Sequence, residues 1–351
     1  MTQLELLLPF AMPPAEMARD LLRELIMPSL AMLLARSSRS ARQTYDGFSR
    51  ALPHEYWLAR QCDTTAKNDS DDSPAMAISA MHNFKLAAET GTWFILQPVH
   101  LHISRDHLVL TDTRQLQLAE SDARVLFDIV QPLFEEVGKT LLYGDAQTWF
   151  MRADEWHALQ TSTPDAACGH NIDIWMPKGP HERDWRRLQN EIQMHWHGHA
   201  INDQREANGL KPINSVWLSG AAEAKKTSNT NTKFAEVFTF LNERKPFTAL
   251  AKKQISINSA TDILNQKPQH GLLVLDSLIA PALAGDWSEW LMRFQDMEDL
   301  WFEPLLKALQ NDRLDKFAIT ISHNTVYSTF TISKSSLRKF WCKPSLARLA
   351  S

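Results

Sequence analysis

Apolar residues recur along the chain in two periods, and each period predicts a different kind of element. Residues 4–9 read as a short, mostly buried strand. After Pro13-Pro14, an amphipathic pattern predicts one helix through about Arg36, kinked at Pro28. Residues 98–104 alternate, with Val99, Leu101 and Ile103 on one face and His100 and His102 on the other. The turn Ser104-Arg-Asp106 and the resumed alternation at Leu108 and Leu110 predict a hairpin. Residues 119–138 predict a helix with Val125, Ile129, Leu133 and Val137 inward, a kink at Pro132 and a cap at Gly138.

The second half predicts a helix over 234–241, and then a buried strand over 272–276 that ends in a carboxylate. A long amphipathic helix follows over 287–309, with Trp287, Trp290, Leu291, Phe294, Trp301 and Leu305 inward and a kink at Pro304. Residues 317–322 and 326–332 predict a strand pair. Strands alternating with helices give an α/β class, a mixed sheet with helices packed on it. Two polar stretches, 64–75 and 222–233, serve as linkers between an N-terminal strand and helix segment (1–63), an α+β region (76–221) and a C-terminal α/β region (234–351).

Composition adds mainly exclusions. With 44% hydrophobic and 22% charged residues over 351 positions, there is ample material for a core. A formal net charge of -4 argues against bulk nucleic-acid binding, and no helix-turn-helix stands out. The tail over 334–348 holds five Lys or Arg around Phe340 and Trp341, read as a solvated terminal helix with one docked aromatic pair. Cys62, Cys168 and Cys342 are too dispersed for a zinc site and fit a reducing compartment. The apolar run near the start is too short to span a bilayer and no basic region precedes it, so a cytoplasmic protein without membrane association is expected.

Candidate chemistry concentrates between Gln193 and Gly220. Trp185, Leu188, Ile192 and Trp196 share one helical face, which is packing, while Gln189, Gln193 and His197 lie on a neighbouring one. Residues 214–220 read as a buried strand running into a glycine turn, a place where α/β proteins bind ligands. His195, His197 and His199 invite a metal reading, but the Glu of an HExxH motif is missing. Asn202, Arg205 and Asn214 offer a guanidinium and two amides, a set suited to phosphate or carboxylate oxygens. The same groups equally suit capping helix ends and tying a loop to a strand.

The pattern His199-Ala-Ile-Asn202-x-x-Arg205-x-x-x-Gly209-x-x-Pro212-x-Asn214-Ser-x-Trp217-Leu-x-Gly220 resembles a segment of the archaeal-type cofactor-independent phosphoglycerate mutases. Over nearly its whole length the chain is similar to a proteobacterial family of phosphoglycerate-mutase-like proteins, some labelled as regulators. That wider likeness rests on Leu-Leu-Pro9-Phe10-Ala, Pro98-Val-His100-Leu, Leu275-Asp276, the Asp286…Trp290 helix and Arg338-Lys-Phe340-Trp341. The resemblance implies an alkaline-phosphatase/phosphoglycerate-mutase-like fold in reduced form.

That superfamily uses a Ser or Thr nucleophile and two divalent metals held by Asp and His. Here the first strand ends in Leu-Leu-Pro9-Phe10 without a carboxylate, and the Asp106-His107 pair falls in the hairpin. Asp276, followed by Ser277, is the one catalytic candidate. The expectation is a catalytically inactive protein with no metal or cofactor. It would bind a phosphorylated or acidic small ligand, or a protein partner, in a regulatory role, through Gln193, His197, His199, Asn202, Arg205, Asn214 and Trp217. The alternatives are a metal-dependent phosphomutase or phosphoesterase with a non-standard metal site, and a scaffold that keeps the segment for folding.

Overall fold

The computed structural model describes residues 2–61, 71–224, 233–240 and 251–350. Most of both polar stretches, Cys62 and Leu241 lie outside the described residues. Strands β1 (Gln3–Leu8) and β2 (Ser38–Thr44) open the chain. The middle holds β3 (Gly91–Val99), β4 (Leu101–Ser104), β5 (His107–Leu110), β6 (Thr140–Asp145), β7 (Thr148–Arg152) and β8 (Ser215–Ala224). The last third holds β9 (Phe234–Phe240), β10 (Ala251–Ile257), β11 (Gly271–Val274), β12 (Lys316–Ser322) and β13 (Val326–Ser333). Contacts divide the chain into two compact units, residues 1–47 with 232–351, and residues 48–231.

The first unit is built on a seven-stranded sheet in the order β10-β9-β11-β1-β12-β13-β2. The five strands from β10 to β12 are parallel, while at one edge β13 runs antiparallel to β12 and β2 antiparallel to β13. β1 lies between β11 and β12, and its Leu6, Leu7 and Leu8 are fully buried, as a strand covered on both faces should be. The expected strand near 272–276 is β11, which ends at Val274, so Asp276 lies two residues past it.

Several expectations are corrected in this unit. Residues 234–240 form strand β9 and not a helix: Phe and Val at 234, 237 and 238 mimic helical spacing, but parallel pairing with β10 and β11 decides the outcome. The helix predicted from Pro14 to Arg36 is two helices, Ala15–Glu24 and Pro28–Arg36. Pro28 starts the second one, where its missing N–H costs nothing. The helix predicted over 287–309 is likewise Trp287–Met297, a π turn Glu298–Phe302 and Glu303–Gln310, with Pro304 in the first turn of the last piece. The π turn positions the buried Glu298, whose two oxygens accept from Ser29 N (2.6 Å) and Leu30 N (3.3 Å) at the start of helix Pro28–Arg36. The tail folds a short helix, Lys334–Leu337, and a 3-10 turn, Ala347–Ala350, and Phe340 and Trp341 between them are exposed instead of docked.

The second unit is built on the antiparallel sheet β6-β7-β3-β8 and the hairpin β4-β5. The expected strand over 98–104 is interrupted at His100, and Ile103 points into solvent, 77% exposed. Helix Glu120–Glu136 is present, but its buried face is Ala123, Leu126, Phe127, Val130 and Phe134; Val125 and Val137 are exposed. Strict spacings of four drift around a helix, and the two Phe residues bury more area than the Val set. Helix Glu182–Trp196 packs on β8 and on Glu120–Glu136 through the predicted Trp185, Leu188, Ile192 and Trp196. β8 runs straight through Gly220 to Ala224. Gly220 (φ +70°) lies at a bulge opposite β3 and donates its N–H to Ser73 Oγ at 2.8 Å, so it opens no ligand-binding turn.

Candidate functional site

The segment between Gln193 and Gly220 is assembled from two helices and the start of β8. Helix Glu182–Trp196 stops where His197 N–H returns to Gln193 O (2.9 Å) and Gly198 takes φ +65°. His199 then caps helix Ala200–Ala207, its Nδ1 accepting from Ile201 N at 3.2 Å. Asn202 is buried. Its Nδ2 donates to Trp196 O (3.0 Å) and Ile213 O (2.9 Å), and its Oδ1 accepts from Ile213 N (2.8 Å).

Arg205 is 2% exposed and donates Nε to Lys211 O at 2.9 Å and its terminal nitrogens to Leu116 O and Gln117 O. Burial lowers its pKa, and Asp122, 3.9 Å away, opposes that shift. Asn214 grips Leu101 with both ends of its amide, each at 2.8 Å. Trp217 is buried and donates its indole N–H to Ser162 O at 2.8 Å. The donors of Asn202, Arg205, Asn214 and Trp217 are thus engaged by backbone carbonyls, the loop-tying arrangement. Of the segment's expected ligand residues, His197 is exposed, and Gln193 and His199 are half-buried.

A second place follows from sheet geometry, because open α/β sheets bind ligands beyond the carboxyl ends of their parallel strands. In the first unit the register Leu7↔Val274 and Leu8↔Ile321 sets Asp276 and His323 on either side of the chain leaving β1. That chain continues through Pro9 into Phe10, a buried residue held at φ +55°. Phe10 N donates to Ser322 Oγ (3.3 Å), Phe10 O accepts from the fully buried Trp290 Nε1 (2.9 Å), and Met12 N donates to Ser322 O (3.1 Å). The centre of the edge is therefore filled with aromatic rings and closed hydrogen bonds.

Asp276 is half-buried, and its carbonyl accepts from Ile279 N at 3.0 Å. Arg293 donates to Ser277 O (2.9 Å) and pairs with Glu289 (2.5 Å). His323 is half-buried, which lowers its pKa, with Glu16 opposing. Among the described residues no group of three or more His, Cys, Asp and Glu is placed to hold a metal ion. One carboxylate and one imidazole around a phenylalanine do not fit a pair of divalent metals. Sequence reasoning found Asp276 and missed Ser322-His323, which gain meaning only once β12 is known to lie beside β1.

Sequence reasoning also missed a buried ionic cluster in the second unit. Arg114 binds Asp165 in a two-pronged pair and Asp112 Oδ1 at 2.8 Å. Burial opposes its charge, yet the two carboxylates raise its pKa. Beside it, Glu55 Oε2 accepts from Leu52 N and Thr163 Oγ1, both at 2.7 Å. Burial, reinforced by Asp165, lifts the Glu55 carboxyl well above the usual carboxylate range. Burial pulls His54 down to about 4, against Asp165, and pushes the Cys168 thiol up to about 12. Cys168 is therefore a protonated, inert thiol at neutral pH.

No protein-family model matches the sequence, and no curated protein matches it. Solved structures do match. The class they and the two sheets define is α/β, with a mixed sheet and packed helices. The PH0037 protein from Pyrococcus horikoshii aligns over 95% of this chain and 87% of its own, at 10% identity and a TM-score of 0.53, and so shares the fold. A cofactor-independent phosphoglycerate mutase from Thermoplasma acidophilum DSM 1728 aligns over 100% of this chain and 94% of its own, at 12% identity and a TM-score of 0.46. No helix among the described residues is long and apolar enough to cross a membrane.

Proposed function

We propose that this chain acts by binding, as a mutase-like protein in a regulatory and not a catalytic role. The observation that carries this reading is the filled carboxyl edge of the parallel sheet. Phe10 bonds to both Ser322 and Trp290 where a catalyst of this architecture needs an open set of ligands and a nucleophile. The proposed ligand is phosphorylated or acidic, approached by Gln193 and His197 with the neighbouring His195. Asn202, Arg205 and Asn214 build the loop that carries them.

The second reading, a metal-dependent phosphomutase or phosphoesterase, rests on Asp276 and His323 flanking the end of β1. Metal content and turnover separate the two. Purified protein incubated with Mg, Mn or Zn is expected to retain no stoichiometric metal and to leave 3-phosphoglycerate and aryl phosphates unchanged. Metal-dependent turnover abolished by Asp276→Asn would establish the enzymatic reading. On the binding reading, calorimetry with 3-phosphoglycerate and related phosphates shows heat that His197→Ala reduces.

A further inference from the structure

The cations of this chain are unevenly spread. Residues 36–44 and 334–350 together contain eight Lys or Arg and no Asp or Glu. They carry +8 while the whole chain carries -4, so the remaining residues carry -12. The fold joins these two segments. Arg36 donates to Leu337 O at 2.6 Å, Lys339 Nζ to Arg36 O at 3.4 Å, and Arg348 to Ser37 Oγ at 2.5 Å. The guanidiniums of Arg39 and Arg348 both sit on the ring of Phe330, at 5.5 and 5.1 Å from its centroid. Strand β2, at the sheet edge, exposes all seven of its residues.

The same surface carries Phe340 and Trp341, which are 82% and 68% exposed. Each is a ring that folding ordinarily removes from water. Here they stand next to each other, with Arg338 and Lys339 before them and Lys343 after them. Exposed aromatics bordered by cations on both sides are the composition of an interfacial anchor. The rings settle at headgroup depth while Lys and Arg meet lipid phosphates.

We propose that this face docks on an anionic lipid bilayer, with Phe340 and Trp341 entering the interface and Arg338 and Lys343 contacting headgroups. Lys334 is set aside, because it pairs with Asp312. A nucleic-acid strand is the less suited polyanion. It stacks successive bases on ring faces, whereas these two rings meet edge to face, 80° apart at 5.1 Å, with no shared stacking direction. Attachment is peripheral, in keeping with the absence of a spanning helix among the described residues. The inference stands independently of whether the carboxyl edge catalyses.

The test is co-sedimentation of the full chain with vesicles of phosphatidylcholine alone or mixed with phosphatidylglycerol, at low and high salt. Binding is expected on the mixed vesicles only, and high salt releases it. Phe340→Ala with Trp341→Ala, and separately Arg338→Glu with Lys343→Glu, are each expected to weaken binding about tenfold. All four side chains are exposed, so unchanged thermal melting is expected to verify that the variants fold. Equal binding to neutral vesicles, no binding at all, or variants that bind like wild type overturn the proposal. So does binding to polyuridylate under salt conditions where the vesicles do not bind, which reassigns the surface to nucleic acid.

Discussion

Asn202 holds Ile213 by both edges of its amide, accepting from Ile213 N at 2.8 Å and donating to Ile213 O at 2.9 Å. Asn214, one residue further on, does the same to Leu101. Side chains thus supply the pattern of a strand neighbour on both sides of the entry to β8. The loop between helix Ala200–Ala207 and the sheet is fixed by these amides and by Arg205, because it has no ladder of its own.

Asn202→Ala is expected to destabilise the second unit by about 3 kcal/mol, since three buried hydrogen bonds lose their partner. Asn202→Asp should cost a similar amount, because a carboxylate cannot donate to Trp196 O and Ile213 O. Asn214→Ala, at a half-buried position, should cost roughly 1 kcal/mol. Urea unfolding reads all three. Variants as stable as wild type would return these residues to the ligand-contact role.

His54 makes the protein sensitive to mild acid. Its folded pKa is held at about 4 by burial, below the ordinary 6.5. Below 6.5 the unfolded chain takes up a proton that the folded one refuses. The resulting stability is complete above 6.5 and is lost as pH falls toward 4, by about 3 kcal/mol. Glu55 acts against it over most of that window, so in His54→Gln the urea midpoint should fall with rising pH where the two groups offset each other in wild type. A midpoint with the same pH profile as wild type would show that another group governs it.

Glu55 acts in the opposite direction. Burial first, and Asp165 second, keep its carboxyl neutral well above the pH at which the unfolded chain ionises. Its stabilising effect is therefore complete below the ordinary carboxylate range and declines as pH rises toward the raised folded value. Glu55→Gln should flatten the alkaline limb of a stability–pH curve while leaving the acid limb to His54. An alkaline limb equally steep in the variant would contradict this assignment.

The helix Glu182–Trp196 was legible because its four large apolar residues recur on one face and nothing in the tertiary structure competes. The hairpin β12-β13 was legible for the same reason, with buried Phe317, Ile319 and Ile321 alternating along one strand. Strand β2 was not: Ser38 to Thr44 are all exposed, show no alternation, and are extended because β13 pairs with them. β9 was misread because its periodicity fits either element, and its neighbours on both sides decide. At the site, the sequence showed that Asn202, Arg205 and Asn214 act as a group. Whether their donors meet a ligand or the backbone depended on where Leu101, Leu116 and Ile213 lie. The Arg114 cluster left no signal, since its members are up to 114 positions apart in the numbering that runs from His54 to Cys168.

The central place of β1 also sets the order in which the chain can mature during synthesis. Leu8 pairs with Ile321, 313 residues later, and Leu7 with Val274. At roughly 5–20 residues per second, the first strand waits about 15–60 s for that partner to be made. Residues 48–231 are contiguous and need no such delay. The newborn chain therefore spends that interval with a mostly apolar strand, Leu-Glu-Leu-Leu-Leu, unmatched. A ribosome-bound chain is most in need of a chaperone during this interval, and it ends when β12 emerges.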